Sequence, residues 1–256
     1  MNADAATLLS WAPAFMLVLA RVGGAMALLP AVGEIAAPAR VRIGMALSVT
    51  ILLLPGIQPM VPSLPDAGID VGLMVAGEVV TGLWFGWLAR IVALAPAMAG
   101  QIIAYLVGLS TVLQPDQELG SQTTALAKVL EMATPAILLV SGLYRLPFLA
   151  LRGLFDLIPP GHMLAVPGAA ERVVGSLTAT FSLALQLASP FIVMGVIWFL
   201  VIGLLSRLVS RMQLYFVSAP GQMIVGGILL LFTLTAILGT WKTSAAEYLS
   251  LLPGRG

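Results

Sequence analysis

LLSWAPAFMLVLARVGGAMALL, residues 8–29, is a 22-residue run interrupted by a single charge, Arg21. As an α-helix it would be about 33 Å long, enough to cross the hydrocarbon core of a bilayer. The first ten residues hold no Lys or Arg, so the basic flank of a secretory signal is missing, and the run exceeds the apolar region of such a signal. It reads as a retained first membrane span.

The rest of the chain agrees with that reading. Hydrophobic residues make up 60% of the 256 and charged residues 9%, with a mean hydropathy of +1.06. Soluble domains carry about 25% charged residues, so this chain cannot build a water-facing surface. Twelve Lys and Arg nearly balance eleven Asp and Glu, which leaves no long-range field to gather nucleic acid. The absence of cysteine removes disulfides, thiolate nucleophiles and Cys-ligated metals.

Hydropathy marks six firm segments at 8–29, 41–61, 71–95, 125–150, 181–205 and 215–240, each long enough to cross. A seventh, 97–113, is shorter, follows Pro96 and carries Gln101, Gly108 and Ser110. It reads as a span, a re-entrant piece or a broken helix. Pro13, Pro55, Pro135, Pro147, Pro190 and Pro220 lie in or at the ends of apolar segments, where each removes a backbone donor and kinks a helix. The fold class expected is all-α: a polytopic integral membrane protein of six or seven Pro-bent helices. Orientation stays open. Arg40 and Arg42 mark the first connection as cytoplasmic, and Arg207 with Arg211 mark the last; six spans satisfy both, but a seventh reverses the latter.

Enzyme chemistry lacks its parts. A phosphate-cradling loop needs a Gly-Lys pair, and the two lysines, Lys128 and Lys242, follow Ala127 and Trp241. The single histidine, His162, has no companion ligands for zinc and no serine partner, and reads as a solvated loop residue. Charges within apolar segments say more: Arg21, Glu78, Arg90, Lys128, Glu131 and Arg145. A charge at the bilayer centre costs at least about 2.5 kcal/mol, so it should face protein or a wet cavity. Glu78 is the expected buried partner of Arg21 or Arg90, as a structural pair or as part of a pore lining. Arg90, Lys128 and Arg145 read as side chains that snorkel from helix ends. Gly82 with Gly86, Ala20 with Gly24, and Gly23 with Ala27 have the small-x-x-x-small spacing that lets helices approach in lipid.

Several stretches resemble the FliR family, the R subunit of the bacterial type III export gate, which has relatives in virulence systems. They are Leu19-Ala20-Arg21-Val22-Gly23-Gly24 with Pro30, Pro38 and Arg40 to Arg42; Ala99-Gly100-Gln101, Gly108 and Gln114-Pro115-Asp116; Phe155-Asp156-Leu157-Ile158-Pro159-Pro160-Gly161; and Leu204-Leu205-Ser206-Arg207 leading through Met212-Gln213-Leu214-Tyr215-Phe216 to Pro220. Their order spans nearly the whole chain. Where the family has Asp-Pro this chain has Gln114-Pro115, and Ser141-Gly142-Leu143-Tyr144 replaces an Asn-Gly-His-His.

The resemblance implies a non-enzymatic structural subunit of the flagellar export gate in the bacterial inner membrane, within the basal body, without cofactor or metal. It implies P and Q subunits and a B switch subunit as partners, unfolded proteins as substrates, and no nucleic acid. It also implies a P-like part, 1–170, and a Q-like helical pair, 171–256. The polar stretch 100–122 would supply the plug of the closed pore, with Gln101, Gly108, Ser110, Gln114, Pro115 and Asp116 as pore or plug residues. Arg21, Glu78 and Arg90 stand beside them as intramembrane charges. The competing reading is a secondary transporter with a path through Arg21, Glu78, Glu131 and Arg145, although its halves should repeat and no repeat is evident.

Overall fold

Among the residues described by the computed structural model, 2–33, 38–109, 123–162, 168–208 and 214–255, regular structure is entirely helical. Eight α-helices follow in order: α1 (Asn2–Leu28), α2 (Ala39–Ile57), α3 (Gly68–Ile91), α4 (Ala95–Val107), α5 (Ala125–Val140), α6 (Arg145–Leu157), α7 (Ala169–Leu208) and α8 (Leu214–Ser250). Among the described residues five helical stretches are long and apolar enough to cross a membrane, or six if the bent pair α5 and α6 forms one. The chain is a helical, polytopic membrane protein.

Two expectations change. The segment 125–150 is not one helix: α5 ends at Val140, Gly142 takes φ +74°, and α6 leaves at 73°. Pro147 explains the break, since it has no N–H and its ring obstructs the carbonyl four residues earlier. The seventh segment is not an independent span either. One turn of 3-10 helix at Val92–Leu94 joins α3 to α4, so Gly68–Val107 reads as one apolar stretch of 40 residues. Pro96 sits at the second position of α4, where a missing N–H costs little. Pro13, Pro55, Pro135, Pro190 and Pro220 lie inside their helices, as expected.

The chain forms two compact units. The first comprises Met1–Val92, Leu138–Ser176 and Ala246–Gly256. Its buried side chains include Leu17, Val18, Val22 and Met26 of α1, Phe85, Leu88 and Ile91 of α3, and Leu151, Leu154 and Phe155 of α6. Helices α1 and α3 run parallel and nearly touch. A Cβ at Gly82 would collide with the Arg21 carbonyl and the Ala25 nitrogen; one at Gly86 would stand 2.6 Å from the Ala25 carbonyl oxygen, and one at Gly24 2.7 Å from that of Val79. The Gly82/Gly86 spacing thus serves the close approach it suggested, and Gly24 does so from the facing helix. Gly23, by contrast, faces open space. At the other end of the chain Gly254, at φ +89°, lies against Gly153, where a Cβ would strike its carbonyl.

The second unit comprises Ala93–Ile137 and Leu177–Ala245. Ile103, Val107, Ala127, Leu130, Leu187 and Phe191 are buried in it, and a Cβ at Gly226 of α8 would meet the Val107 side chain.

Candidate functional site

Arg21 falls midway along the apolar run that opens the chain, and Glu78 lies eleven residues into α3. Since Gly24 and Gly82 let the two backbones close up, the two charges meet in the interior of the first unit. Both side chains are 0% exposed. The guanidinium grips the carboxylate bidentately, Nε donating to Oε2 at 2.5 Å and Nη2 to Oε1 at 3.0 Å. This fork matches the planar shapes of both groups and strengthens each charge-assisted bond.

The remaining polarity is absorbed by the end of α6. Arg21 Nη1 donates to the Ile158 carbonyl at 2.6 Å, at the end the helix leaves unpaired, and more weakly to that of Leu154 at 3.4 Å, which also accepts the Ile158 N–H. A cation there also meets the negative end of the helix dipole. The guanidinium carbon lies 4.4 Å from the centroid of the Phe155 ring, within cation–π range. On the acidic side, the Gly161 N–H donates to Glu78 Oε1 at 2.7 Å. Gly161 reaches that pose at φ +83°, and a Cβ there would stand 2.6 Å from Met74 Cε and 2.9 Å from Pro62 Cγ, so glycine is required on two counts.

Arg21 and Glu78 therefore tie α1, α3 and the Ile158–Pro159–Pro160–Gly161 turn into one knot. The carboxylate accepts three hydrogen bonds, all from protein, which makes the pair a fastener. The other intramembrane charges lie apart from it. Arg90 occupies the last turn of α3, half-buried. Lys128 and Glu131 pair at 3.1 Å on the exposed side of α5, and Arg145 stacks on Tyr144 at 5.9 Å. Of the three expected to reach outward, Lys128 and Arg145 are exposed and Arg90 is half-buried. His162 sits in the turn after Gly161, its Nδ1 3.4 Å from the Pro160 carbonyl oxygen.

Two of the expected pore or plug residues are described, and both belong to the second unit. Gly108 ends α4 in the left-handed conformation, φ +80°. Its N–H bonds the Tyr105 carbonyl at 3.2 Å while Leu109 N–H bonds that of Ala104 at 2.9 Å, a Schellman termination. The Leu106 carbonyl, another orphan of the same end, accepts from Gln222 Nε2 on α8 at 2.7 Å. Gln101 Oε1 accepts from both the backbone N–H and the hydroxyl of Thr124, at 3.0 and 3.1 Å, and the Thr124 hydroxyl oxygen in turn accepts from Ala127 N–H at the start of α5. Gln101 thus ties α4 to the residue preceding α5. Ser110, Gln114, Pro115 and Asp116 lie outside the described residues.

Sequence reasoning did not single out Thr124 or Gln222, and quoted Phe155 only as part of the family resemblance. Gln222 carried a usable signal, an amide in one of the most apolar helices; the contacts of Thr124 and Phe155 were not legible, because they depend on which helix end lies opposite.

Comparison with known proteins gives a consistent answer. The profile of the family described as Bacterial export proteins, family 1, matches residues 12–248. The Flagellar biosynthetic protein FliR of Caulobacter vibrioides is 31% identical over 92% of this chain and 94% of its own length. That of Bacillus subtilis is 24% identical over 88% of this chain and 87% of its own, and that of Escherichia coli 24% over 85% and 83%. The match spans both compact units and nearly the full length of each relative, and on that ground this membrane protein belongs to the FliR family of bacterial export proteins.

Proposed function

We propose that the protein is a structural subunit of the flagellar type III export gate in the bacterial inner membrane, forming part of the channel through which unfolded proteins pass. It has no catalytic role; its partners are P and Q export-gate subunits and the B switch subunit. Residues 1–170 act as a P-like part and 171–256 as a Q-like pair.

The observation that carries this reading is the apolar surface the chain leaves uncovered. In α8 only 11% of the most apolar 18-residue stretch is buried, and in α7 22%. Val196, Ile197 and Leu200 of α7, with Leu231 and Phe232 of α8, are all more than half exposed. Patches of that extent mark contact with lipid or with other proteins. The family relationship favours other export subunits for much of that contact. By its resemblance to the family the polar stretch 100–122 supplies the plug; of it, 110–122 lie outside the described residues.

Purification from cells co-expressing candidate P and Q subunits tests the reading. A stable complex of several proteins is expected. A chain that stays alone and carries a solute into liposomes would replace the gate by the transporter. The plug has its own test: deleting 113–120 should raise ion leakage across the membrane, and unchanged leakage and secretion remove the assignment.

A further inference from the structure

The first unit holds an open cleft of about 710 Å³ on the side of α6 away from the Arg21–Glu78 knot, lined by Leu149, Arg152, Asp156, Leu157, Arg172 and Leu251 among others. Its floor is the C-terminal turn at 252–254, held close because Gly153 and Gly254 lack side chains. A cleft of that volume suits a ligand of small-molecule size.

Its charges are poorly satisfied. Arg152 and Asp156 approach only to 3.7 Å, and both are more than three-fifths exposed. Arg172 is exposed and, among the described residues, forms no ion pair. It also stands in the first turn of α7, where the helix dipole disfavours a cation. Two arginines against one carboxylate leave the lining with an excess positive charge. Beside them Leu149, Leu157 and Leu251 are 59%, 52% and 75% exposed. The cleft thus sets a net positive charge beside exposed apolar side chains.

The level of the cleft suits both. The apolar run of α7 begins just after Glu171 and Arg172, and that of α8 gives way to Glu247, Tyr248 and Ser250. Trp84 Nε1 donates to the Ala169 carbonyl and the Tyr248 hydroxyl to that of Leu88. Both bonds tie α3 to the ends of α7 and α8 beside the cleft, and basic pockets between helices at the membrane surface hold lipid head groups.

We propose that this cleft seats an anionic phospholipid from the bilayer, its phosphate shared by Arg152 and Arg172 and its acyl chains laid along Leu149, Leu157 and Leu251. Guanidinium forks match phosphate oxygens. The exposed leucines favour a lipid over an acidic protein segment, which would leave them wet.

Native mass spectrometry of the full chain in mild detergent, with phosphatidylglycerol or phosphatidylcholine added, tests this. The wild type should retain phosphatidylglycerol in preference. Arg152→Gln or Arg172→Gln should each lower retention about fivefold, and the double variant about thirtyfold. Arg145→Gln, an exposed arginine of the same helix outside the cleft, should leave it unchanged. The double lysine variant, which keeps charge and loses the fork, should fall between and guards against misfolding of the glutamine variants. Equal retention of both lipids, or undiminished phosphatidylglycerol in the double glutamine variant, overturns the proposal. So does release by millimolar inorganic phosphate, which would make the ligand a soluble anion, or loss of a co-purified protein subunit with no change in lipid.

Discussion

Glu78→Gln removes the charge that justifies a guanidinium in the interior of the first unit, and the remaining amide cannot offer two equivalent oxygens to the fork. Breaking a buried pair from one side costs about 3–5 kcal/mol, so this variant in detergent should melt well below the wild type. Arg21→Met combined with Glu78→Leu should recover much of the loss, because replacing both partners by apolar groups of similar volume is often neutral. The recovery should be incomplete, since the Ile158 carbonyl and the Gly161 N–H lose their partners with the pair. A double variant no more stable than Glu78→Gln would show that the charges do more than hold the turn. Glu131→Ala provides the contrast. Its pair with Lys128 is about half exposed on both sides, and such pairs contribute under about 1 kcal/mol, so thermal melts should barely move.

Between elements, the tightest approach is that of α1 and α3, and glycines decide it. Gly82→Leu has no space, because even a Cβ collides with the Arg21 backbone; it should force the helices apart, strain the ion pair and lower expression and melting temperature sharply. Gly23→Ala, between the contacting residues Arg21 and Ala25 but facing open space, should leave both unchanged within error. Equal damage from the two would refute the parallel α1–α3 packing. In the second unit Gln222→Leu leaves the Leu106 carbonyl without its side-chain partner. Interhelical hydrogen bonds in membranes are worth about 0.6–2 kcal/mol, so a modest loss is expected, read as faster amide exchange at the end of α4; unchanged exchange would show that the bond contributes nothing.

Across the whole molecule the dominant fact is apolar surface left for something else to cover. Leu231 and Phe232 are 78% and 81% exposed, so Leu231→Ser with Phe232→Ser removes little packing within the chain. Circular dichroism and melting of the purified chain should stay close to wild type, while co-purification with P and Q subunits falls. A variant that melts early yet still assembles would place those side chains inside the fold and not on a partner surface.

The membrane class and the helical fold were legible in the sequence because they follow from quantities summed along the chain, apolar length and charge density, which need no knowledge of what lies opposite. Proline positions inside helices were legible for the same reason. Glu78 was recognisable as a buried carboxylate, but whether Arg21 or Arg90 answers it depended on the facing register of α1 and α3, which the Gly24, Gly82 and Gly86 contacts set. The break at Ser141–Tyr144 escaped hydropathy because it is only four residues long and the Ile137–Val140 run before it keeps the window apolar; backbone geometry at Gly142 and Pro147 made it. The cleft beside Arg172 draws on residues more than a hundred positions apart, and only the folding of α6, α7 and the C-terminal turn against one another brings those arginines and leucines to one place.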